Sequence, residues 1–227
     1  RAASHSAARI FGLRDRGLVA PGWRADLVVL DTLADCHAEI VLAAGRIVSD
    51  ERFATRKPIT PVGRHSVKAK RVRAADFRAA SNSGRTLAIG IIPGKIITES
   101  LTFDLATGEN GTEVDLDRDV VKIAVVERHG RNGNIATGFV HGFGLKHGAI
   151  ASTVSHDSHN ICAVGTSDED IAAAVNRLGE IEGGFVVVRD GKVLAELPLP
   201  VAGLISLADY ETVRDPLRVL RHAALEI

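Results

Sequence analysis

The stretch from Thr166 to Leu197 reads TSDEDIAAAVNRLGEIEGGFVVVRDGKVLAEL and predicts a capped helix followed by a β-hairpin. Thr166 or Ser167 can cap free amides, and the acids that follow suit the positive end of a helix. The apolar residues of this helix have helical spacing and are Ile171, Val175, Leu178 and Ile181. Gly183-Gly184 ends the helix, and Asp190-Gly191 supplies the positive torsions of a type I′ turn between two apolar strands.

Short apolar segments, each bounded by Gly, Asn or Asp, dominate the chain from Val67 onward. We expect strands at Arg85–Ile92, Ile96–Phe103, Val120–Val126, Ile135–Val140 and Gly148–Val154. Asp209–Ala224 has helical periodicity. This mixture of strands and helices predicts an α+β fold with a mixed or antiparallel sheet over residues 67–227.

The first 53 residues have a different pattern, with one helix end and a few short strands. Ser4–Leu13 has helical spacing and ends at glycine, and Ala25–Asp31 is typical of a buried strand. Glu39–Val48 predicts a hairpin that turns at Ala44-Gly45. Residues 54–66 contain two prolines and little apolar content, so we interpret them as a linker.

Composition excludes several function classes. The chain has 28 basic and 28 acidic residues, which argues against nucleic acid or an anionic membrane as the main partner. No apolar run reaches the ~18–20 residues that cross a bilayer. Cys36 and Cys162 lie far apart, as expected of two small buried residues in a reducing cytoplasm, so we expect a cytoplasmic location. Methionine is absent, and we therefore expect a fragment or a processed product.

Histidine placement is the sharpest internal signal for chemistry. Five of the nine histidines fall within 31 residues, namely His129, His141, His147, His156 and His159. Six glycines lie in the same region: Gly130, Gly133, Gly138, Gly142, Gly144 and Gly148. Because histidine titrates near neutral pH and glycine lets backbone approach a ligand closely, such loops between strands are typical of a site-forming surface.

The run SHDSHN at residues 155–160 directly follows an apolar segment and has two interpretations. It forms a loop that binds a polar small molecule or covers a site, or it is a turn in which Asp157 and Asn160 cap backbone amides and the histidines are exposed. A metal site made by His156 and His159 is not expected, because no HxH, HExxH or CxxC pattern occurs. Nucleophilic catalysis is not expected either, since there is no GxSxG elbow.

Two segments carry a family resemblance. GLVAPGWRADLVVLD (Gly17–Asp31) and the preceding SAARIFGL resemble the segment in which amidohydrolases leave their barrel and re-enter a small β-sandwich. Ile150–Ser206 is similar to the C-terminal domain of bacterial adenine deaminases in its SHDSHN, DEDIAAAVNRL and ELPLPVAGL runs. The resemblance implies a β-sandwich remnant at residues 1–53 and an adenine deaminase C-terminal domain at residues 67–227.

The resemblance also implies a reaction. Such enzymes hydrolyse adenine to hypoxanthine and ammonia with a binuclear iron or manganese centre in the barrel, where metal-activated hydroxide attacks purine C6. The barrel ligands of the family are absent from this sequence. The chain alone is therefore expected to bind no metal, to contain no catalytic residue and to be inactive. The expected partners are adenine, the missing barrel domain and further copies of the protein in a homo-oligomer.

The same resemblance carries substrate-binding roles over to His156, Asp157, Ser158, His159 and Asn160. The hypothesis is that this loop shapes or closes the purine site, because its side chains can pair with ring nitrogens and the exocyclic amine. The alternative is that the loop only braces the domain. For the chain as a whole, a non-catalytic binding or assembly module and a different amidohydrolase stay open. Asp26 is expected to be structural, as an acid that binds turn amides.

Overall fold

The computed structural model describes residues 1–55, 57, 59–79, 85–109, 111–156 and 158–227. The chain divides into two units, Arg1–Thr60 and Pro61–Ile227. The division falls within the segment 54–66 that the sequence marks as a linker. Helices and strands occur in both units, in mixed and antiparallel sheets, which confirms the α+β class.

The first unit is a three-stranded antiparallel sheet with short helices before and after it. A π-helical turn at Ala2–Ser6 continues into α1. The labelled elements are α1 (Ala7–Ile10), β1 (Leu27–Leu30), β2 (Ala38–Ala43), β3 (Arg46–Ile47) and α2 (Asp50–Ala54). The predicted strand near Ala25–Asp31 is confirmed, but its predicted burial is wrong, because Val28 and Val29 are 57% and 42% exposed. The described residues of this unit form no second sheet that would cover them.

The β2–β3 turn explains the role of Asp26. Ala44 and Gly45 have φ values of 52° and 76°, which is the left-handed backbone of the predicted hairpin turn. Asp26 Oδ1 accepts a hydrogen bond from Ala44 N at 2.7 Å, and Arg24 pairs with the same carboxylate. The Ala44 amide is the main reason that the pKa of Asp26 lies below its usual range. The structural role predicted for Asp26 is confirmed.

The second unit is built on an eight-stranded sheet. Its strands are β4 (Arg85–Ile91), β5 (Thr98–Asp104), β8 (Val120–Val126), β9 (Ile135–His141), β10 (Ala149–Ser152), β11 (Ile161–Gly165), β12 (Gly184–Arg189) and β13 (Lys192–Pro198), in the spatial order β13-β12-β10-β11-β8-β9-β4-β5. Neighbouring strands are antiparallel except β4 and β9, which are parallel, so the sheet is mixed. A separate ladder pairs β6 (Thr107–Gly108) with β7 (Gly111–Thr112).

Helices cover both faces of this sheet. Successive strand residues point to opposite faces, and Ala163 and Val164 accordingly belong to two different core clusters. The first cluster contains residues of α3 (Asp168–Glu180) and Phe77 of the 3-10 turn Ala74–Phe77. The second contains residues of α4 (Tyr210–Glu226), the last helix of the chain. The strands that these helices cover include β8 and β11, whose connections carry the candidate site.

Candidate functional site

The polar run SHDSHN lies in the connection between β10 and β11, and we call residues 155–160 the polar loop. Ile161, the first residue of β11, pairs with Val126 at the end of β8. Val126 also pairs with Ile135 at the start of β9. The β8–β9 connection and the polar loop therefore lie side by side at one end of the large sheet, which we call the loop end.

The backbone of the polar loop closes on itself. His159 N donates to Ser155 O at 2.8 Å, and Ser158 N donates to His156 O at 3.0 Å. Asn160 N donates to Ser158 Oγ at 3.3 Å. His159 has a φ of 47°, in the left-handed region that non-glycine residues uncommonly adopt. These contacts define one compact turn with His159 at its strained position.

The predicted site residues differ in exposure. His156 and Ser158 are exposed, whereas His159 and Asn160 are half-buried. Asp157 lies outside the described residues, so its predicted role stays a prediction. The interpretation of the loop as a simple turn expected Asn160 to cap an amide, but Asn160 Oδ1 makes no hydrogen bond with any described residue. Instead, Ser158 Oγ accepts a hydrogen bond from the backbone amide of Asn160.

Two adjacent side chains of the polar loop hold buried polar atoms without partners. Within the described part of the chain, His159 Nδ1 and Asn160 Oδ1 are both covered from solvent and have no hydrogen-bond partner. Leaving a buried donor or acceptor unpaired costs about 1–3 kcal/mol. Such groups are rare in folded proteins and call for an explanation in each case. Two of them on neighbouring residues leave hydrogen-bonding capacity that a water molecule or a ligand can take up.

A buried arginine that sequence reasoning missed holds the polar loop from below. Arg128, two residues beyond the end of β8, is 2% exposed. Its Nε donates to His159 O, and its Nη2 donates to Ala202 O at 3.0 Å. Burial lowers the pKa of the Arg128 guanidinium from its ordinary value. Its position after a buried strand was visible in the sequence, but its two distant acceptors were not.

Thr153 makes a second connection at the loop end. Its side chain is fully buried, and Oγ1 donates to Gly203 O at 2.5 Å and accepts from Gly184 N at 2.7 Å. Gly203 has a φ of 68° and lies against the Arg128 guanidinium. Thr153, two residues before the polar loop, and Arg128 beneath the loop therefore both bind the turn at residues 201–205.

The five histidines expected to form one surface do not all meet. His129 lies in the β8–β9 connection, and its Nε2 is 3.3 Å from Ser158 O. His141 pairs with Val120 at the start of β8, at the opposite end of the sheet. His147 precedes β10, whereas the polar loop follows it. The expectation of a single cluster is therefore wrong for His141 and His147, because antiparallel strands carry successive connections to opposite ends of the sheet.

The β8–β9 connection beside the polar loop is organised by one carboxylate. Glu127 accepts hydrogen bonds from the backbone amides of His129, Arg131, Asn132 and Gly133, at 2.5, 3.2, 3.3 and 2.9 Å. These bonds, that of Gly133 first, hold the pKa of Glu127 below its usual range against the opposing effect of burial. The charge of Glu127 therefore keeps the segment that carries His129 in shape.

Acid should loosen this segment. Folding lowers the pKa of Glu127. The ionised carboxylate therefore stabilises the fold fully above the ordinary carboxyl pKa, and this stabilisation is lost as the pH falls through the pKa that Glu127 has in the folded protein. We expect protection of the Gly133 amide against hydrogen exchange, corrected for the intrinsic rate, to fall as the pH is lowered through the lowered pKa of Glu127. In Glu127→Gln the protection should be low and nearly independent of pH. The same acid-dependent loss in Glu127→Gln would contradict this account.

The described residues do not fit a metal centre. No group of three or more His, Cys, Asp or Glu side chains converges among them, so a binuclear metal pair finds no ligand set in this part of the chain. Among the described helices, none has the length and apolar content to cross a bilayer. The predicted burial of both cysteines is wrong, since Cys36 is exposed and Cys162 is half-buried. Burial raises the pKa of the Cys162 thiol, which makes it a poor nucleophile.

Comparison with known proteins identifies the family of this chain. Residues 95–227 match the family described as the adenine deaminase C-terminal domain, and the chain belongs to that family. Over its full length, the chain is 78% identical to the adenine deaminase of Brucella anthropi, 75% identical to that of Brucella abortus and 66% identical to adenine deaminase 1 of Rhizobium meliloti. The chain spans about 40% of the length of these curated relatives.

Proposed function

We propose that this chain is part of an adenine deaminase and that its polar loop forms a wall or cap of the purine site. The reaction adds water at C6 of adenine and releases the exocyclic amino group as ammonia, leaving hypoxanthine. The relatives that match the whole chain are adenine deaminases, which supports this substrate. Because the described residues provide no metal ligand set, the iron or manganese centre is assigned to a barrel domain outside these residues, and no step at a metal is assigned to this chain.

The unpaired atoms at His159 and Asn160 carry this proposal. Adenine offers an exocyclic amine that donates and ring nitrogens that accept, so an amide oxygen and an imidazole nitrogen are matching partners. Because both atoms are covered in this chain, a change of side-chain rotamer must bring them to the ligand. The hydrogen bonds gained in this way offset the cost of leaving the two atoms unpaired.

This pairing also gives a basis for selectivity. A purine with oxygen at C6 presents an acceptor where adenine presents a donor, and an acceptor facing Asn160 Oδ1 is repelled. Sites that hydrogen-bond a substrate group discriminate strongly against analogues that lack it, because the protein groups are left unpaired. The polar loop is therefore assigned to binding and selection of the substrate. Chemistry at C6 is assigned to the metal-bearing domain.

Ammonia release by the intact protein tests the proposal, with adenine, guanine and cytosine as substrates. We expect turnover with adenine alone, and none by the isolated 227-residue chain, which lacks a metal ligand set among its described residues. Deamination of guanine or cytosine in preference to adenine would reject the substrate assignment. Turnover by the isolated chain would reject the division of labour between the domains.

A further inference from the structure

We propose that Arg128 is a positioning residue for the purine site, an inference that rests on the proposed function of the polar loop. The Arg128 side chain is buried beneath the loop, so we assign it a role in holding the loop and no contact with the substrate. It acts through His159, whose backbone carbonyl accepts a hydrogen bond from Arg128 Nε. The arginine thereby sets the place from which the His159 imidazole approaches a ligand.

The surroundings of Arg128 are unusual for a buried charge. Buried guanidinium groups are normally paired with a carboxylate, because an unpaired charge loses its hydration without compensation. Among the described residues, no carboxylate pairs with Arg128, and its side chain donates to the carbonyl oxygens of His159 and Ala202. The guanidinium stays charged despite its lowered pKa, since arginine keeps its proton in proteins. Its charge is thus used to bind two backbone carbonyls.

The planar guanidinium suits this task. Its N–H groups form a fixed fork, and two of them reach two different segments, the polar loop and the turn that contains Ala202. Ala202 lies 74 residues further along the chain than Arg128. The turn is itself held by Thr153, whose hydroxyl donates to Gly203 O. Arg128 therefore joins the loop to a segment that is already bound to the sheet through Thr153 and Gly184.

The strained backbone of His159 shows why this support matters. A residue with positive φ persists only where its surroundings enforce it, and His159 has a φ of 47°. The hydrogen bond from Arg128 falls on the carbonyl of this same residue. Loss of the bond frees the His159 peptide to rotate and displaces the imidazole. Small displacements of groups that position a substrate lower activity strongly.

Substitution of Arg128 in the intact protein provides the test. We expect Arg128→Gln and Arg128→Lys to lower kcat/KM for adenine by about tenfold. Amide hydrogen exchange of residues 158–160 should become about tenfold faster or more. Arg128→Lys keeps the charge and is therefore the variant that is expected to fold. Lysine has no planar fork, so it does not reach both carbonyls. The matched control is Arg131→Gln, an exposed arginine of the same connection, which should change neither quantity.

The exchange pattern separates positioning from general stability. If Arg128 positions the loop, the faster exchange is confined to the polar loop and the turn at 201–205, and KM rises. If Arg128 only stabilises the fold, the faster exchange spreads over the whole sheet. The active fraction of the protein then falls while KM stays unchanged. Unchanged loop exchange, or exchange that rises throughout the second unit, would overturn the inference whatever the kinetics. Normal adenine kinetics in His159→Ala would overturn the proposed function whatever the exchange shows.

Discussion

Replacing His159 with alanine in the intact protein is expected to lower kcat/KM for adenine by about 100-fold or more. The imidazole Nδ1 is buried without a partner among the described residues, so a substrate that pairs with it gains a bond that alanine does not offer. A 100-fold loss corresponds to about 2.7 kcal/mol of transition-state stabilisation. Steady-state measurement of ammonia release, with circular dichroism to verify folding, gives the result.

Backbone strain at His159 requires a second variant. Alanine at a φ of 47° is less favourable than histidine, so His159→Ala also shifts the loop backbone. His159→Asn avoids this, because asparagine tolerates the left-handed backbone and places a polar atom near the position of Nδ1. We expect His159→Asn to retain more activity than His159→Ala.

The matched control for His159→Ala is His147→Ala. His147 is exposed and lies at the opposite end of β10, so we expect its loss to change kcat/KM less than twofold. Near-normal kinetics of a folded His159→Ala protein would defeat the assignment of the polar loop to the purine site. An equal loss of kcat/KM in both variants would show that the effect is not specific to the polar loop.

Replacing Phe77 with alanine is expected to destabilise the second unit by about 3–5 kcal/mol. Phe77 is 0% exposed and is among the largest fully buried side chains of the chain. It belongs to the core cluster that also contains Ile161 and residues of α3. Alanine leaves a cavity there, and the rigid sheet can fill only part of it. Urea denaturation of the 227-residue chain, followed by far-ultraviolet circular dichroism, measures the change.

An exposed phenylalanine of the same unit provides the control for Phe77→Ala. Phe143 is 40% exposed, so Phe143→Ala should cost less than about 1 kcal/mol. Equal losses in the two variants would contradict the packing assigned to Phe77. Because Ile161 directly follows the polar loop, Phe77→Ala should also increase hydrogen exchange in that loop.

Local sequence signals predicted much of the fold. The strand Val120–Val126 was predicted with its observed bounds, and α3 begins after the predicted cap, with Ser167 Oγ accepting from Asp170 N at 3.2 Å. The turn at Asp190-Gly191 has φ values of 53° and 70°, as the predicted hairpin requires. Such signals succeed because capping, turn torsions and apolar periodicity depend on residues a few positions apart.

Some elements escaped the same reasoning. The strand Ile161–Gly165 was missed, since five residues that include alanine and glycine have a weak strand pattern. The short strands Thr107–Gly108 and Gly111–Thr112 were missed as well, because two residues make no periodicity. The helix Asp50–Ala54 was also not predicted, because the sequence there indicated only the residues that lead into the linker.

The sequence by itself determined the α+β class, the two α-helices and the Asp190-Gly191 hairpin of the second unit, and the polar character of residues 155–160. Only the tertiary structure decided the strand order, the separation of His141 from His159, and the position of Arg128 between His159 and Ala202. The physical reason is the range of the interactions. A cap or a turn is complete within a few residues, whereas strand pairing and a buried guanidinium join segments whose separation along the chain does not show that they meet.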